Sequence, residues 1–175
     1  MPRILCILLA AVLCSCERYP DSYPPPEQRH PVEGANPDPS TMLVEMSSPD
    51  AAWHFVKDVE PGVPGDQWRW TKQNPTLKIL AVTTQNLKLS VDFSLWDGAF
   101  RQTGPVEIIF LVNGRTLDKI RYTSSGAKHF EKPIPPDWLT TDVESIVSMN
   151  INKLYTAPQD GVKFGFILSR IGFVR

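Results

Sequence analysis

The sequence predicts an all-β fold: an antiparallel β-sandwich carried after a disordered, proline-rich tether. Three observations lead there. Leu87, Leu89, Val91, Phe93 and Leu95 alternate with Lys88, Ser90, Asp92 and Ser94, a period of two that puts five apolar side chains on one strand face. Asn113-Gly114 separates two strand-like runs, 106–112 and 115–122, and both residues tolerate the positive φ of a type I′ hairpin turn. No stretch carries a convincing apolar stripe at helical spacing.

The remaining strands follow from apolar runs and the breakers between them. Residues 53–59, 67–71, 77–82, 128–133, 143–152 and 162–174 read as strands. Pro61-Gly62, Asn74-Pro75, Asp97-Gly98, Gly104-Pro105, Pro135-Pro136 and the segment 158–161 fall between them. The run 106–112 is almost continuously apolar, so it is expected at the sheet centre with both faces covered. Pro135-Pro136-Asp137-Trp138-Leu139 suits one helical turn. Eight or nine short strands at this spacing suit a sandwich, with a barrel as the alternative.

The start of the chain has a different character. Met1-Pro2-Arg3 precedes an apolar run over 4–13 that is shorter than the roughly 20 residues a membrane-spanning helix needs. A short basic start and an apolar run ending in small residues is the layout of an export signal. Leu13-Cys14-Ser15-Cys16 then resembles the bacterial lipobox, with Leu13 at the aliphatic place, Ser15 at the small one and Cys16 as acceptor. The resemblance implies cleavage before Cys16, a diacylglyceryl thioether on its sulfur and an acyl group on the new amine. Several lipid chains anchor durably where a single one binds marginally. Cys14 at the middle place departs from the usual Ser, Thr or Ala. The expected location is therefore the bacterial cell envelope, with the membrane as partner through the lipid. Glu17, in place of an inner-membrane retention Asp, favours the outer membrane.

Cysteine usage agrees with this layout. Cys6, Cys14 and Cys16 are the three cysteines, and cleavage leaves only Cys16. A lone, lipidated thiol forms no intramolecular disulfide. The expected organisation is a signal peptide over 1–15, a tether over 16–49 and a β domain over 50–175. Pro20, Pro24, Pro25, Pro26, Pro31, Pro37 and Pro39 favour extended, solvated backbone in the tether. Residues 17–49 carry six acidic and two basic residues, net −4, and residues 50–175 carry thirteen acidic and fifteen basic, net +2. Neither balance makes a nucleic-acid surface.

A second resemblance covers the domain. Trp-Arg-Trp at 68–70, a Leu-X-Ile strand, Val-Asn-Gly at 112–114, Pro-Ile-Pro at 133–135 and Gly-Phe-Ile-Leu-Ser-Arg-Ile at 165–171 are similar to a jelly-roll β-sandwich. Such domains occur in bacterial envelope proteins and on some sugar-handling enzymes. The likeness implies the fold and, beyond it, carbohydrate binding. No catalytic residue travels with it.

The search for chemistry returns few candidates. His30, His54 and His129 are the three histidines, and neither a nucleophile elbow nor a zinc helix is present. Ser125, His129 and Asp97 make a triad only on paper. No metal site and no cofactor is expected, and no catalytic residue is assigned. Tryptophan is the informative residue: Trp53, Trp68, Trp70, Trp96 and Trp138 all lie outside the tether. Trp68 and Trp70 flank Arg69 on one strand face and read as core. Trp96 with Asp97, and Trp138, sit at turns, where packing and ligand contact are both open; these three are the candidate ligand-binding residues. Arg170 is expected to pair with a carboxylate. The leading function is a non-catalytic binding module for a glycan or another envelope component. The alternatives are an assembly lipoprotein that binds an envelope protein and, third, a hydrolase.

Overall fold

A computed structural model describes residues 42–62 and 66–175. The export signal, Cys16 and the tether up to Thr41 lie outside the described residues. The strands are β1 (Leu43–Glu45), β2 (Phe55–Val59), β3 (Arg69–Ala81), β4 (Lys88–Leu95), β5 (Val106–Val112), β6 (Arg115–Tyr122), β7 (Gly126–Pro133), β8 (Val143–Ile151), β9 (Tyr155–Thr156), β10 (Lys163–Phe164) and β11 (Ile167–Val174), with one helix, α1 (Asp97–Thr103). One sheet runs β11-β4-β7, and β1 and the first two residues of β3 share the other side of β11. The second runs β2-β3-β8-β5-β6. All pairs are antiparallel, so the fold is the expected sandwich, with β3 belonging to both sheets.

The core is filled as the alternation predicts. Leu89, Val91, Phe93 and Leu95 of β4 face Ile108, Phe110 and Val112 of β5, Val147 and Met149 of β8, and Leu77 and Ile79 of β3. Each fully buried side chain of this kind contributes about 2 kcal/mol. Phe110 stacks on Phe130 of the opposite sheet with ring centroids 3.7 Å apart, and Phe93 lies 5.2 Å from Phe166. At the edge of this cluster the Tyr122 hydroxyl is buried without a partner. Burial, with Asp118 adding to it, pushes its pKa up to about 12.

Several local expectations change. The 106–112 strand lies between β8 and β6 and alternates buried with half-buried residues. Only its inner face is fully covered; Ile109 and Leu111 form part of the outer face. The strands expected at 67–71 and 77–82 are one thirteen-residue strand. Asn74-Pro75 does not interrupt it, because its pairing with β8 starts only at Thr76 and its pairing with β2 is bulged there. The run 162–174 divides into β10 and β11 at Gly165-Phe166. Trp53 stands in a 3-10 turn ahead of β2 rather than inside a strand.

Three elements were not anticipated: α1, β1 and the two-residue β9. Asp97-Gly98, expected as a breaker, opens α1, which ends at Gly104 with φ 66°. β1 lies within the stretch that composition assigns to the tether, with Val44 and Met46 fully in the core. The expected turn at 136–138 is present as a 3-10 turn, and Asn113 and Gly114 adopt φ 49° and 76°. Asn113 also ties that hairpin down: its amide donates to the Trp138 carbonyl at 2.7 Å and accepts from the Ile146 N–H at 2.8 Å.

β1 packs so closely on β11 that a Cβ at Gly172 would lie 2.1 Å from the Met42 carbonyl oxygen and 2.5 Å from the Leu43 Cα. Gly172→Ala should therefore destabilise by about 3 kcal/mol in urea unfolding. Gly114→Ala, which meets open space and pays only for positive φ, should cost about 1 kcal/mol. Equal losses would contradict the placement of β1.

Candidate functional site

Three strand ends converge where β3 begins, β4 ends and β11 begins: Ile167 pairs with Trp70 on one side and Ser94 on the other. An aromatic cluster occupies this end. Trp70 is its hinge, edge-to-face with Trp68 at 6.4 Å and with Trp96 at 6.2 Å, and tilted against Phe164 at 5.1 Å. Trp96 is in turn edge-to-face with Tyr155 of β9 at 5.4 Å. Such pairs contribute roughly 1 kcal/mol each beyond area burial, so the rings hold one another in fixed orientations.

Backbone features set those orientations. Trp96 precedes α1 in an extended conformation, and its carbonyl accepts the Phe100 N–H at 2.8 Å. Its indole folds back over Gly98, where a Cβ would lie 2.5 Å from the ring. Glycine at 98 thus lets the indole lie on the helix backbone, which explains a residue that otherwise weakens a helix. The hairpin carrying Tyr155 is joined to α1 by Gln102, whose side chain accepts from the Thr156 N–H at 2.8 Å and donates to its carbonyl at 3.3 Å. Lys153 donates to the carbonyls of Thr103 and Pro105, both at 2.9 Å, and neutralises the helix C-terminus.

Trp68 and Trp96 are the exposed members, at 42% and 44%. Trp68 is therefore not a core residue, contrary to the expectation from alternation, and Trp70 is only half-buried. Arg69 between them is the buried side chain. The polar margin includes Asp97, which accepts a hydrogen bond from the Ser125 hydroxyl. Lys128 donates to the Ser125 carbonyl at 2.8 Å.

Of the three candidates, Trp96 and Asp97 lie together at this end. Trp138 does not join them. The β4–β7 ladder runs from Leu95↔Gly126 beside Trp96 to Lys88↔Pro133, near which Trp138 packs partly buried against the core. At about 3.4 Å per residue that ladder separates the two tryptophans by more than 20 Å. Arg115 sits 5.6 Å from the Trp138 ring. Ser125, His129 and Asp97 form no relay: Ser125 bonds Asp97, whereas His129 Nδ1 lies 2.6 Å from Asp92. His54 Nδ1 contacts the Lys78 carbonyl at 2.9 Å. No group of three or more potential metal ligands occurs among the described residues. No helix among them is long and apolar enough to cross a membrane.

A charge ladder crosses the outer face of the β4 sheet. Glu45, Arg170, Asp92 and His129 are register partners on four successive strands. Arg170 donates to Asp92 Oδ2 through Nε at 2.7 Å and Nη2 at 2.5 Å, and its Nη1 lies 3.6 Å from Glu45. The expected carboxylate pairing of Arg170 is thus observed. Burial alone would raise the Asp92 pKa, but hydrogen bonds from His129 and Arg170 outweigh it and hold the carboxyl below its usual range.

No protein-family model matches this sequence, and no curated protein sequence matches it. Among solved structures it is similar to a CBM35 domain from Paenibacillus barcinonensis. That match has a TM-score of 0.40 and 14% identity over 76% of this chain and 98% of the other. It is also similar to part of a family GH115 4-O-methyl-α-glucuronidase with specificity for decorated arabinogalactans. There the TM-score is 0.36 and the identity 10%, over 65% of this chain and 15% of the enzyme.

The depressed Asp92 pKa has a signed consequence. Its ionised form is favoured by folding, so its contribution is present above the unfolded carboxyl pKa near 3.9 and is lost as pH falls through the lower folded value. Asp92→Asn should cost about 1 kcal/mol at pH 7, and the deficit should shrink as pH falls below the ordinary carboxylate range in urea unfolding. A deficit unchanged by acid would show that shape rather than charge matters here.

Proposed function

We propose that this chain is a lipid-anchored envelope protein whose β-sandwich binds glycan without catalysis. The observation that carries the reading is the pair of exposed indoles, Trp68 and Trp96, held at fixed angles on either side of Trp70. A pyranose presents an apolar C–H face that packs on an indole. Its hydroxyls then need acceptors and donors nearby, which Asp97, Ser125 and Lys128 supply beside Trp96. Fixed rings lose little side-chain entropy on binding, so the surface is preorganised. The anchor rests on the lipobox-like Leu13-Cys14-Ser15-Cys16 and the proline-rich tether that follows, which would hold the domain away from the lipid surface.

A second reading, an assembly lipoprotein that binds another envelope protein, is favoured by exposed Trp53 and Val56 at β2, which pairs only with β3 among the described residues.

Titration of the full chain with cell-wall and surface polysaccharides, followed by tryptophan fluorescence, separates the readings. Trp68→Ala and Trp96→Ala should each weaken binding by about tenfold, equivalent to about 1.4 kcal/mol, and Trp53→Ala should not. Absence of any spectral response, with co-purification of one stable protein partner, would remove the glycan reading. In cells, Cys16→Ala should leave an uncleaved or soluble form. A processed variant that still partitions into detergent would refute the anchor.

A further inference from the structure

Arg69 is 5% exposed, yet among the described residues it forms no ion pair. Its Nη1 donates to the main-chain carbonyls of Asp66 and Trp68 at 2.9 and 2.8 Å. Its Nε is buried without any partner. Arg170, which is far more exposed, receives two carboxylates. The contrast runs against desolvation cost, since a buried guanidinium needs a counter-charge more than an exposed one does. A buried, unpaired donor of this kind calls for an explanation.

The surroundings supply one. Arg69 lines a cleft of about 550 Å³, together with Ser47, Ser48, Ala52, Pro61 and Gly62. That volume lies within the range of small-molecule sites and far exceeds a bare inorganic ion. Gly62, at φ 65°, lies over the guanidinium so closely that a Cβ there would sit 2.8 Å from Arg69 Cδ. Gly62 therefore lies directly against the Arg69 side chain, and both border the cleft. Pro61 and Ala52 give apolar walls, and Ser47 and Ser48 give hydroxyl groups.

We propose that this cleft binds the oxyanion, carboxylate or phosphate, of a small organic ligand, with Arg69 as its counter-charge. The bound anion supplies the charge that the fold withholds, and the walls take the ligand's apolar body. The proposal is independent of the aromatic cluster, because no indole lines the cleft.

The test is the thermal midpoint of the full chain in phosphate or benzoate, against chloride at equal ionic strength. A ligand bound only by the folded state raises that midpoint by mass action. A rise with phosphate alone assigns phosphate esters, a rise with benzoate alone assigns carboxylates, and a rise with both assigns the oxyanion generally. No rise with either overturns the proposal. Arg69→Gln should abolish the response, and an unchanged response in that variant overturns the proposal too. Should Arg69→Gln fail to fold, Ala52→Glu decides, since Ala52 is exposed on the cleft wall. Its carboxylate should raise the midpoint in chloride and remove the anion response; a variant still responding like the parent contradicts the site. Loss of glycan binding in Trp68→Ala or Trp96→Ala leaves this result untouched, so the two readings fail separately.

Discussion

The crossing of β3 from one sheet to the other depends on one buried pairing, between Thr71 and Phe166. Thr71 is fully buried, its N–H donates to the Phe166 carbonyl at 2.9 Å, and its hydroxyl donates to that same carbonyl at 2.8 Å. The hydroxyl oxygen in turn accepts the Phe166 N–H at 3.0 Å, and the Thr71 carbonyl accepts the Gly165 N–H at 2.7 Å. Before this point β3 pairs with β11; after it, with β8 and β2. A strand leaving one ladder for another exposes main-chain groups inside the core, and a side chain with both donor and acceptor satisfies them. Gly165 completes the crossing, because a Cβ there would come within 2.5 Å of the Lys72 carbonyl.

Everything at the aromatic end follows from that crossing. Trp68, Arg69 and Trp70 stand on the segment just before it, and Phe164 just before its partner. The crossing turns Arg69 inward and leaves the indoles of Trp68 and Trp70 to meet Trp96 and Phe164. The outer face of the β4 sheet uses a different device away from the aromatic end. There the Glu45–Arg170–Asp92–His129 ladder pairs charges on solvated strands, where each pair contributes modestly and none needs full desolvation. The same residue type thus sits in opposite settings, Arg170 with its counter-charges and Arg69 with none among the described residues.

Much of the sandwich was legible in the sequence because its signals are local. The alternation at Leu87 to Leu95 reads the inner face of β4 directly, and Asn113-Gly114 reads its hairpin because only certain residues adopt positive φ. What was not legible depends on partners distant in sequence. Asn74-Pro75 looks like a strand end, but β3 continues through it because β8 takes up its pairing only at Thr76. α1 is seven residues long and has a glycine at its second position, too little periodicity to register. Trp68 and Trp70 alternate like core residues, yet Arg69 between them takes the inward-facing place, so the two indoles lie on the outer side. Trp96 and Asp97 could be nominated from their turn. Their company with Trp70, Tyr155 and Ser125, and the separation of Trp138, are products of topology alone.

The most direct test is the unfolding free energy of Thr71→Val, which keeps the shape and removes the hydroxyl. Loss of that group leaves the Phe166 N–H buried and unpaired, so the variant should lose about 2 kcal/mol, while Thr71→Ser, which keeps the hydroxyl, should lose under about 1 kcal/mol. A valine variant within about 0.5 kcal/mol of the parent would contradict the crossing as the constraint on which the aromatic end depends.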